Sequence, residues 1–296
     1  MEMAVAAAAK LSAQKQGQLE RRASSLPMRI EVGFDIEYKT AAPTPMVIML
    51  SIHPSRVRDI VGREIIVAEP AAAIRYYLDS FGNVCGRLTA PPGAVRLRGR
   101  ALVADSGQPD PVVRNARQLA IDHLPDEALL YLMGSRYCET DKLADIAWSL
   151  FKDTEPGWPR VQAICDFVHN HLEFGYAHAN PGKTAFDAYN QKRGVCRDFA
   201  HLAVAFCRCM NIPARYVTGY LGDIGVPADP APMDFSGWFE AYLSGRWYTF
   251  DARHNAPRIG RILMGIGRDA ADVALTTSFG PIELSKFHVF TAEVKT

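Results

Sequence analysis

The amino-acid sequence predicts an α+β protein, in which an all-β domain precedes a group of helices and a second, mostly antiparallel sheet. Between residues 28 and 105, apolar and polar residues alternate in several short segments, as they do in strands with one buried face. Between residues 125 and 210, apolar residues instead recur at the spacing of buried helix faces. Strand-like segments return after residue 214. This grouping of elements is typical of the α+β class.

The first domain, residues 28–105, is predicted to be an antiparallel sandwich-like or barrel-like structure. Gly82 and Asn83 suit a turn with positive φ between two of its strands. Residues 1–27 are expected to form a disordered leader, because their apolar run is short for a signal peptide and follows a glutamate. The predicted strands are Ile30–Ile36, Met46–Ile52, Ile65–Ala68, Ala73–Leu78, Val84–Leu88 and Val95–Val103.

A polar linker is predicted at residues 106–124, followed by a second domain at residues 125–296. Helices are predicted to begin near Pro125, Thr140, Pro159, Thr184 and Gly194, where proline, capping or turn residues precede apolar repeats. The strands predicted after them are Ala214–Leu221, Phe235–Leu243, Arg246–Asp251, Asp272–Thr276 and Phe287–Val294, the second and third joined as a hairpin.

The composition argues against several classes of partner. A net charge of +1 with 22% charged residues does not favour binding to nucleic acid or to an anionic membrane surface. The six cysteines are dispersed and include no CxxC pair, which favours a reducing compartment and therefore a cytoplasmic location. No metal-ligand constellation and no phosphate-binding glycine loop stands out, so we expect neither a metal nor a cofactor.

The stretch from Gly194 to Tyr220 contains the candidate nucleophile. Apolar residues at positions 199, 202, 203, 206 and 210 predict a buried helix that begins near Cys196. Unpaired backbone N–H groups and the positive end of the helix dipole meet at such a helix start. Both favour an anion, so we expect the pKa of the Cys196 thiol to lie below that of a free thiol.

Two downstream strands offer polar partners for this thiol. Strand alternation places Ser236 and Glu240 on one face of the first strand and Asp251 at the end of the second. A nucleophilic cysteine usually works with a base and an orienting acid. Cys196 and Asp251 therefore supply two of the three members of a Cys-His-Asp triad.

Four sequence blocks resemble the bacterial transglutaminase-like superfamily, also called transglutaminase-like cysteine peptidases, and occur in the family's order. The blocks are GVCRDFAHL, NIPARYVTGYL, GWFEAYLSGRWYTFDARHN and GRDAADV, and the segment YYLDSFGNVCGRL looks like the β-domain that often precedes the catalytic one. The resemblance spans residues 28–296. It implies a papain-like core, with a helix bundle packed on an antiparallel sheet, a Cys-His-Asp triad and acyl transfer through a thioester to water or an amine.

Ser236 stands where this family usually has its histidine, while Cys196 and Asp251 match the nucleophile and the triad acid. Serine cannot act as a general base near neutral pH, which leaves three interpretations. In the first, His254 replaces the missing histidine. In the second, the helix start alone supports the thiolate and a substrate amine is the base. In the third, the chain is a non-catalytic binding module. His201 is disfavoured, because five residues of helix turn it about 140° from Cys196.

Our working hypothesis is a cytoplasmic, cofactor-free enzyme that transfers or hydrolyses an amide of a peptide or glutamine-like substrate. The partners would be a peptide or protein substrate, with water or a small amine as the acceptor. The backbone N–H of Cys196 is expected to form part of an oxyanion hole, and the resemblance implies a second donor near Tyr176 or His178. Asp198 is expected to cap the helix. The alternative hypothesis is the non-catalytic binding module.

Overall fold

Six strands form the first part of the protein, which we describe from a computed structural model covering residues 27–294. The leader expected at residues 1–27 therefore lies outside the described residues, apart from Pro27. All six strands predicted here are present, although their ends differ by a few residues. They are β1 (Met28–Thr40), β2 (Thr44–Ile48), β3 (Ile65–Glu69), β4 (Arg75–Leu78), β5 (Val84–Ala90) and β6 (Gly93–Asp105).

Helices come next, and the described α-helices begin within two residues of the predicted starts. They are α1 (Asp126–Leu129), α2 (Thr140–Phe151), α3 (Trp158–His171), α4 (Ala185–Gln191) and α5 (Cys196–Cys209). Every residue of α5 from Asp198 to Cys209 is buried. The other helices except α1 pack around it on one side, and a sheet covers the other side. α5 therefore lies at the centre of this core, and its buried Asp198, His201 and Arg208 form hydrogen bonds there.

The sheet that covers α5 is antiparallel, with the strand order β11-β10-β9-β12. Its strands are β9 (Ala214–Tyr220), β10 (Ser236–Leu243), β11 (Arg246–Phe250) and β12 (Ile262–Gly267), and a short parallel pair, β7 (Glu173–Phe174) and β8 (Arg193–Gly194), lies ahead of α5. The sequence analysis missed β12, because its apolar residues run continuously and include two glycines. At Gly265 a Cβ atom would lie 2.8 Å from the sulfur of Met49, so close packing requires glycine there.

The prediction of a strand at Asp272–Thr276 is wrong. Turn chemistry dominates this segment, since the Asp272 carboxylate accepts a hydrogen bond from the backbone N–H of Arg268 at 2.9 Å. The Asp269 carboxylate likewise accepts one from the N–H of Ala271 at 2.9 Å. A short strand, β13 (Thr276–Ser278), begins only after the turn. The strand predicted at Phe287–Val294 is present as β14 (Glu283–Glu293).

Both C-terminal strands leave the second domain and join the first. β14 pairs with β1, and β13 pairs with β2, so the two sheets have the orders β14-β1-β6-β3 and β13-β2-β5-β4. Their inner faces share one core that includes Phe34, Leu97 and Ile48. The fold is thus a sandwich of two sheets joined to a helix-and-sheet core. The expected boundary needs correction at its end, because residues 276–293 belong by pairing to the sandwich rather than to the 125–296 domain.

Replacement of Phe206 by alanine is expected to destabilise the protein by about 3–5 kcal/mol, because the cavity left in a rigid core cannot close. Phe206 is fully buried on α5, with its ring 5.4 Å from that of Phe151 and 5.8 Å from that of Phe167. Urea unfolding followed by fluorescence measures the change. Phe279→Ala is the matched control, since Phe279 is 66% exposed, and it should change the free energy of unfolding little. Equal losses in the two variants would contradict this account of the core.

Candidate active site

Cys196 is the first residue of α5, as the sequence predicts. The carboxylate of Asp198 folds back and accepts a hydrogen bond from the backbone N–H of Val195 at 2.9 Å, which confirms its expected capping role. Gly194 makes room for this contact, because a Cβ atom there would lie 2.6 Å from the Asp198 side chain. The buried Lys183 ammonium lies 3.9 Å from the same carboxylate. These contacts fix the helix start and thereby the position of the thiol.

The thiol faces a small pocket, here called the Cys196 pocket. It is lined by Cys196, Ser236, Arg253, His254, Phe174, Tyr176, Arg258 and parts of the segment 221–235 that connects β9 to β10. Its free volume is about 50 Å³, which is room for a few water molecules. In this arrangement the pocket therefore has room for only a small chemical group.

Asp251 lies just beyond the end of β11, and its side chain is 2% exposed. Its Oδ2 accepts hydrogen bonds from His254 Nδ1 and from Arg261 Nη2, each at 2.8 Å. Its Oδ1 accepts from the backbone N–H groups of Arg253 and His254, each at 3.0 Å. Burial by itself would raise the pKa of Asp251, but the Arg261 charge and the bonds from His254 outweigh it and hold that pKa well below its usual range.

His254 is oriented by Asp251 and shares the pocket with Cys196. Arg253 Nη1 lies 2.8 Å from His254 Nε2, and because a guanidinium can only donate, Nε2 is the acceptor. The hydrogen of the ring therefore sits on Nδ1 and is donated to Asp251. The Arg253 guanidinium also packs over the ring of Phe174, 3.8 Å from its centroid. The basic nitrogen of His254 is thus occupied by Arg253 rather than by the thiol.

The expectation that Cys196 has an acidic thiol is wrong for this closed arrangement. Burial raises the pKa of the Cys196 thiol to about 11. The backbone N–H of Gly237 and the charge of Arg253 lower that pKa, while the carboxylates of Asp234 and Asp251 raise it. The favourable helix start is therefore outweighed by burial, with a smaller contribution from the Asp234 carboxylate.

Ser236 and His201 occupy very different surroundings. Ser236 is buried at the start of β10, opposite Gly219, and lines the Cys196 pocket. His201 is fully buried away from that pocket, with its ring 5.2 Å from that of Tyr137 and its Nε2 accepting from the N–H of Ala270 at 3.1 Å. Burial holds the pKa of His201 well below its usual value. The structure therefore brings together Cys196, Ser236 and His254, with Asp251 directly behind His254.

Three further residues of the site, Arg253, Asp234 and Arg261, were not predicted from the sequence. Arg253 could have been noticed, since it lies between Asp251 and His254 in the chain. Asp234 could also have been noticed, since it precedes Ser236 by two residues and lines the same pocket. Arg261 gives no local signal, because its pairing with Asp251 depends on the path of the loop after β11. Of the two suggested oxyanion donors, Tyr176 lines the pocket.

The described residues contain neither a metal-binding cluster nor a membrane-spanning helix. Within residues 27–294, no group of three or more histidine, cysteine or acidic side chains is arranged to hold a metal ion. In the same range, no helix is both long enough and apolar enough to cross a membrane.

Comparison with known proteins adds to this geometry. The sequence profile of the transglutaminase-like superfamily matches residues 146–252. A crystal structure of a candidate cysteine protease from Cytophaga hutchinsonii is 31% identical and aligns with a TM-score of 0.79, over 92% of this chain and 92% of that chain. An uncharacterized protein of Mycobacterium leprae is 28% identical over 215 residues, which are 69% of this chain and 75% of that protein. The likeness to the crystal structure extends over both the sandwich and the helix-and-sheet core.

Replacement of Asp251 by asparagine is expected to destabilise the fold by about 3 kcal/mol at pH 7, because the buried Arg261 loses one of its carboxylate partners. The low pKa of Asp251 in the folded state means that its charge stabilises the fold above the pKa of an unfolded aspartate, about 3.9. The difference in the free energy of unfolding between wild type and variant should therefore shrink as the pH falls from 5 toward 2. Urea unfolding at each pH measures it, with the exposed Asp145→Asn as the matched control. A difference that grows in acid would contradict the pairing.

The apparent pKa of the resting Cys196 thiol is expected to be about 11. Thiolate absorbance, measured as wild type minus Cys196→Ser, gives the midpoint. Asp234→Asn should lower this midpoint, since the carboxylate raises the pKa, and Arg253→Gln should raise it. Asp145→Asn, on the exposed side of α2, should leave it unchanged. A wild-type midpoint below that of free cysteine, about 8.5, would show that the pocket does not desolvate the sulfur.

Proposed function

Because the chain belongs to the transglutaminase-like superfamily, we propose that it is a cysteine-dependent enzyme that hydrolyses or transfers an amide through a thioester. The observation that carries the proposal is the buried Asp251 and its partner His254, whose ring lies in the same pocket as a helix-terminal cysteine. An acid, a base and a nucleophile at one site are the parts that acyl transfer by cysteine requires.

In the proposed reaction, His254 Nε2 takes the proton of the Cys196 thiol as the sulfur attacks the carbonyl carbon of the amide. Asp251 stabilises the imidazolium that forms. The amide nitrogen then leaves as an amine with the proton from His254, and the acyl group remains on the sulfur as a thioester. Water or an amine attacks this thioester and gives a proton to His254, which returns it to the departing thiolate.

The charge on the carbonyl oxygen needs hydrogen-bond donors. We assign the first to the backbone N–H of Cys196, which is unpaired within the helix at its first position. We assign the second to the hydroxyl of Tyr176, which lines the pocket. Burial raises the pKa of Tyr176, so the hydroxyl keeps its proton and can donate it.

Ser236 has no role in the proposed proton transfer. The acid and the base, Asp251 and His254, instead lie three residues apart in one turn. Asp251 Oδ1 accepts hydrogen bonds from the N–H groups of residues 253 and 254 and so orients the His254 ring. The base would then come from the loop after β11 instead of from β10.

The proposed substrate is an amide in a peptide or protein, of the glutamine type or in the main chain, with water or a small amine as the acceptor. The small volume of the Cys196 pocket supports a substrate that presents a single narrow group to the thiol. We further propose a cytoplasmic location, which the six free thiols support.

The second candidate function is a non-catalytic binding module. Two observations favour it, namely Ser236 at the family's histidine position and the raised pKa of the resting Cys196 thiol. It predicts that peptides bind equally well to wild type and to Cys196→Ala and that neither protein turns them over.

His254→Ala is expected to lower kcat/KM on amide substrates by about 10²–10⁴-fold, the usual contribution of a general base. A panel of peptides with fluorogenic amide leaving groups, with and without an added amine acceptor, provides the measurement. Ser236→Ala should lower kcat/KM far less than His254→Ala, and Cys196→Ala should abolish turnover. If Ser236→Ala and His254→Ala were equally damaging, His254 would not be the base. If wild type turned over no amide while still binding peptides, the binding module would be correct.

A further inference from the structure

The Cys196 pocket contains two arginines, and they differ in how their charge is satisfied. Arg258 donates to the carbonyl oxygen of Gly222 at 2.9 Å and lies 3.5 Å from a carboxylate oxygen of Asp223. Arg253, in contrast, has no carboxylate within ion-pair distance among residues 27–294. Its observed contacts are His254 Nε2 and the face of Phe174. A half-buried cation beside the nucleophile therefore lacks an anionic partner within the described fold.

Among the described residues, Arg253 lacks a carboxylate partner although two carboxylates line the same pocket. These are Asp229 and Asp234, on the segment 221–235, and neither forms an ion pair with Arg253. Packing over Phe174 holds the guanidinium on its own side, at 3.8 Å from the ring centroid. Its planar fork of N–H donors, of which one is used on His254, matches a carboxylate in bidentate geometry.

We infer that Arg253 binds a free carboxylate of the substrate, close to the amide that Cys196 attacks. The inference rests on the proposed function and narrows its substrate class to amides that carry a carboxylate near the reacting carbonyl, such as an acidic or carboxyl-terminal residue of a peptide. Arg253 and Cys196 line the same small pocket, so a carboxylate on Arg253 lies close to the thiol as well.

Binding of this carboxylate also changes the state of the base. Arg253 Nη1 occupies His254 Nε2 in the resting protein. A carboxylate is a stronger acceptor for a guanidinium than a neutral imidazole, so the bound substrate draws Nη1 away from Nε2. The freed Nε2 can then accept the proton of the Cys196 thiol. The contact between Arg253 and the substrate carboxylate therefore both recognises the substrate and frees His254 Nε2 to act as the base.

Alkylation of Cys196 with a charged and a neutral reagent of the same shape tests the carboxylate site without a substrate. Iodoacetate carries a carboxylate and iodoacetamide does not, and both consume the same thiolate. The ratio of their rate constants, measured by mass spectrometry at pH 9 and matched ionic strength, therefore cancels any change in the thiol pKa. Arg253→Gln is expected to lower this ratio about tenfold, the effect of one charged hydrogen bond.

The control is Arg246→Gln. Arg246 also packs over an aromatic ring, 4.6 Å from the centroid of Tyr248, but it is exposed and lies outside the pocket. It should leave the ratio unchanged. An unchanged ratio in Arg253→Gln would overturn the inference. An Arg253-dependent ratio in a protein that turns over no amide would overturn the proposed function and leave the carboxylate site intact.

A second measurement avoids thiol chemistry. In the Cys196→Ala protein, glutarate is expected to raise the thermal unfolding midpoint more than its neutral analogue glutaramide, because a ligand that binds the folded state stabilises it. Adding Arg253→Gln should remove the difference between the two compounds. A glutarate effect that persists without Arg253, or that is absent with it, would also overturn the inference.

Discussion

The buried carboxylate of Asp251 is the constraint on which the arrangement of the site depends. A charge removed from water must be paired and hydrogen-bonded, and Asp251 accepts four hydrogen bonds from three residues. Arg261 connects it to Asp110 in the segment after β6, at 2.8 Å. One buried charge therefore ties the end of β11, the loop that carries His254 and the connection between the two halves of the protein. The orientation of His254 is a consequence of satisfying this charge.

The resting pocket separates the nucleophile from its base. Burial and the Asp234 carboxylate raise the pKa of the thiol and keep it protonated. Arg253 occupies the basic nitrogen of His254, so that nitrogen is not available to take the thiol proton. Such a site is protected from unwanted alkylation and oxidation, because thiolates and not thiols react. Its chemistry depends on what enters the pocket and rearranges those contacts.

Local pattern was sufficient to predict most of the fold and part of the site. Strands with one buried face, such as β1, and the helix starts follow from periodicity and capping, which act over a few residues. β12 escaped prediction because it is buried on both faces, and one of its glycines, Gly265, packs against the distant Met49. Cys196 and Asp251 were found because a helix start and a strand end mark them. The thiol pKa was not, since it depends on burial and on charges from Asp234, Arg253 and Asp251, which the fold brings together from separate parts of the chain. Arg253 adjoins His254 in the chain, but its packing over Phe174, about 80 residues earlier, gives no local signal.

The pairing of β14 with β1 sets an order for assembly of the chain during synthesis. β1 needs β14 as a neighbour, and some 240 residues separate the two strands, so the contact is among the least local in the fold. The first sheet cannot be completed until the whole helix-and-sheet core has left the ribosome. Until then one edge of β1 is open, with its main-chain groups exposed to other chains. The nascent protein thus carries an unprotected edge strand for most of its synthesis, and a fragment cut at residue 125 would keep that edge open permanently.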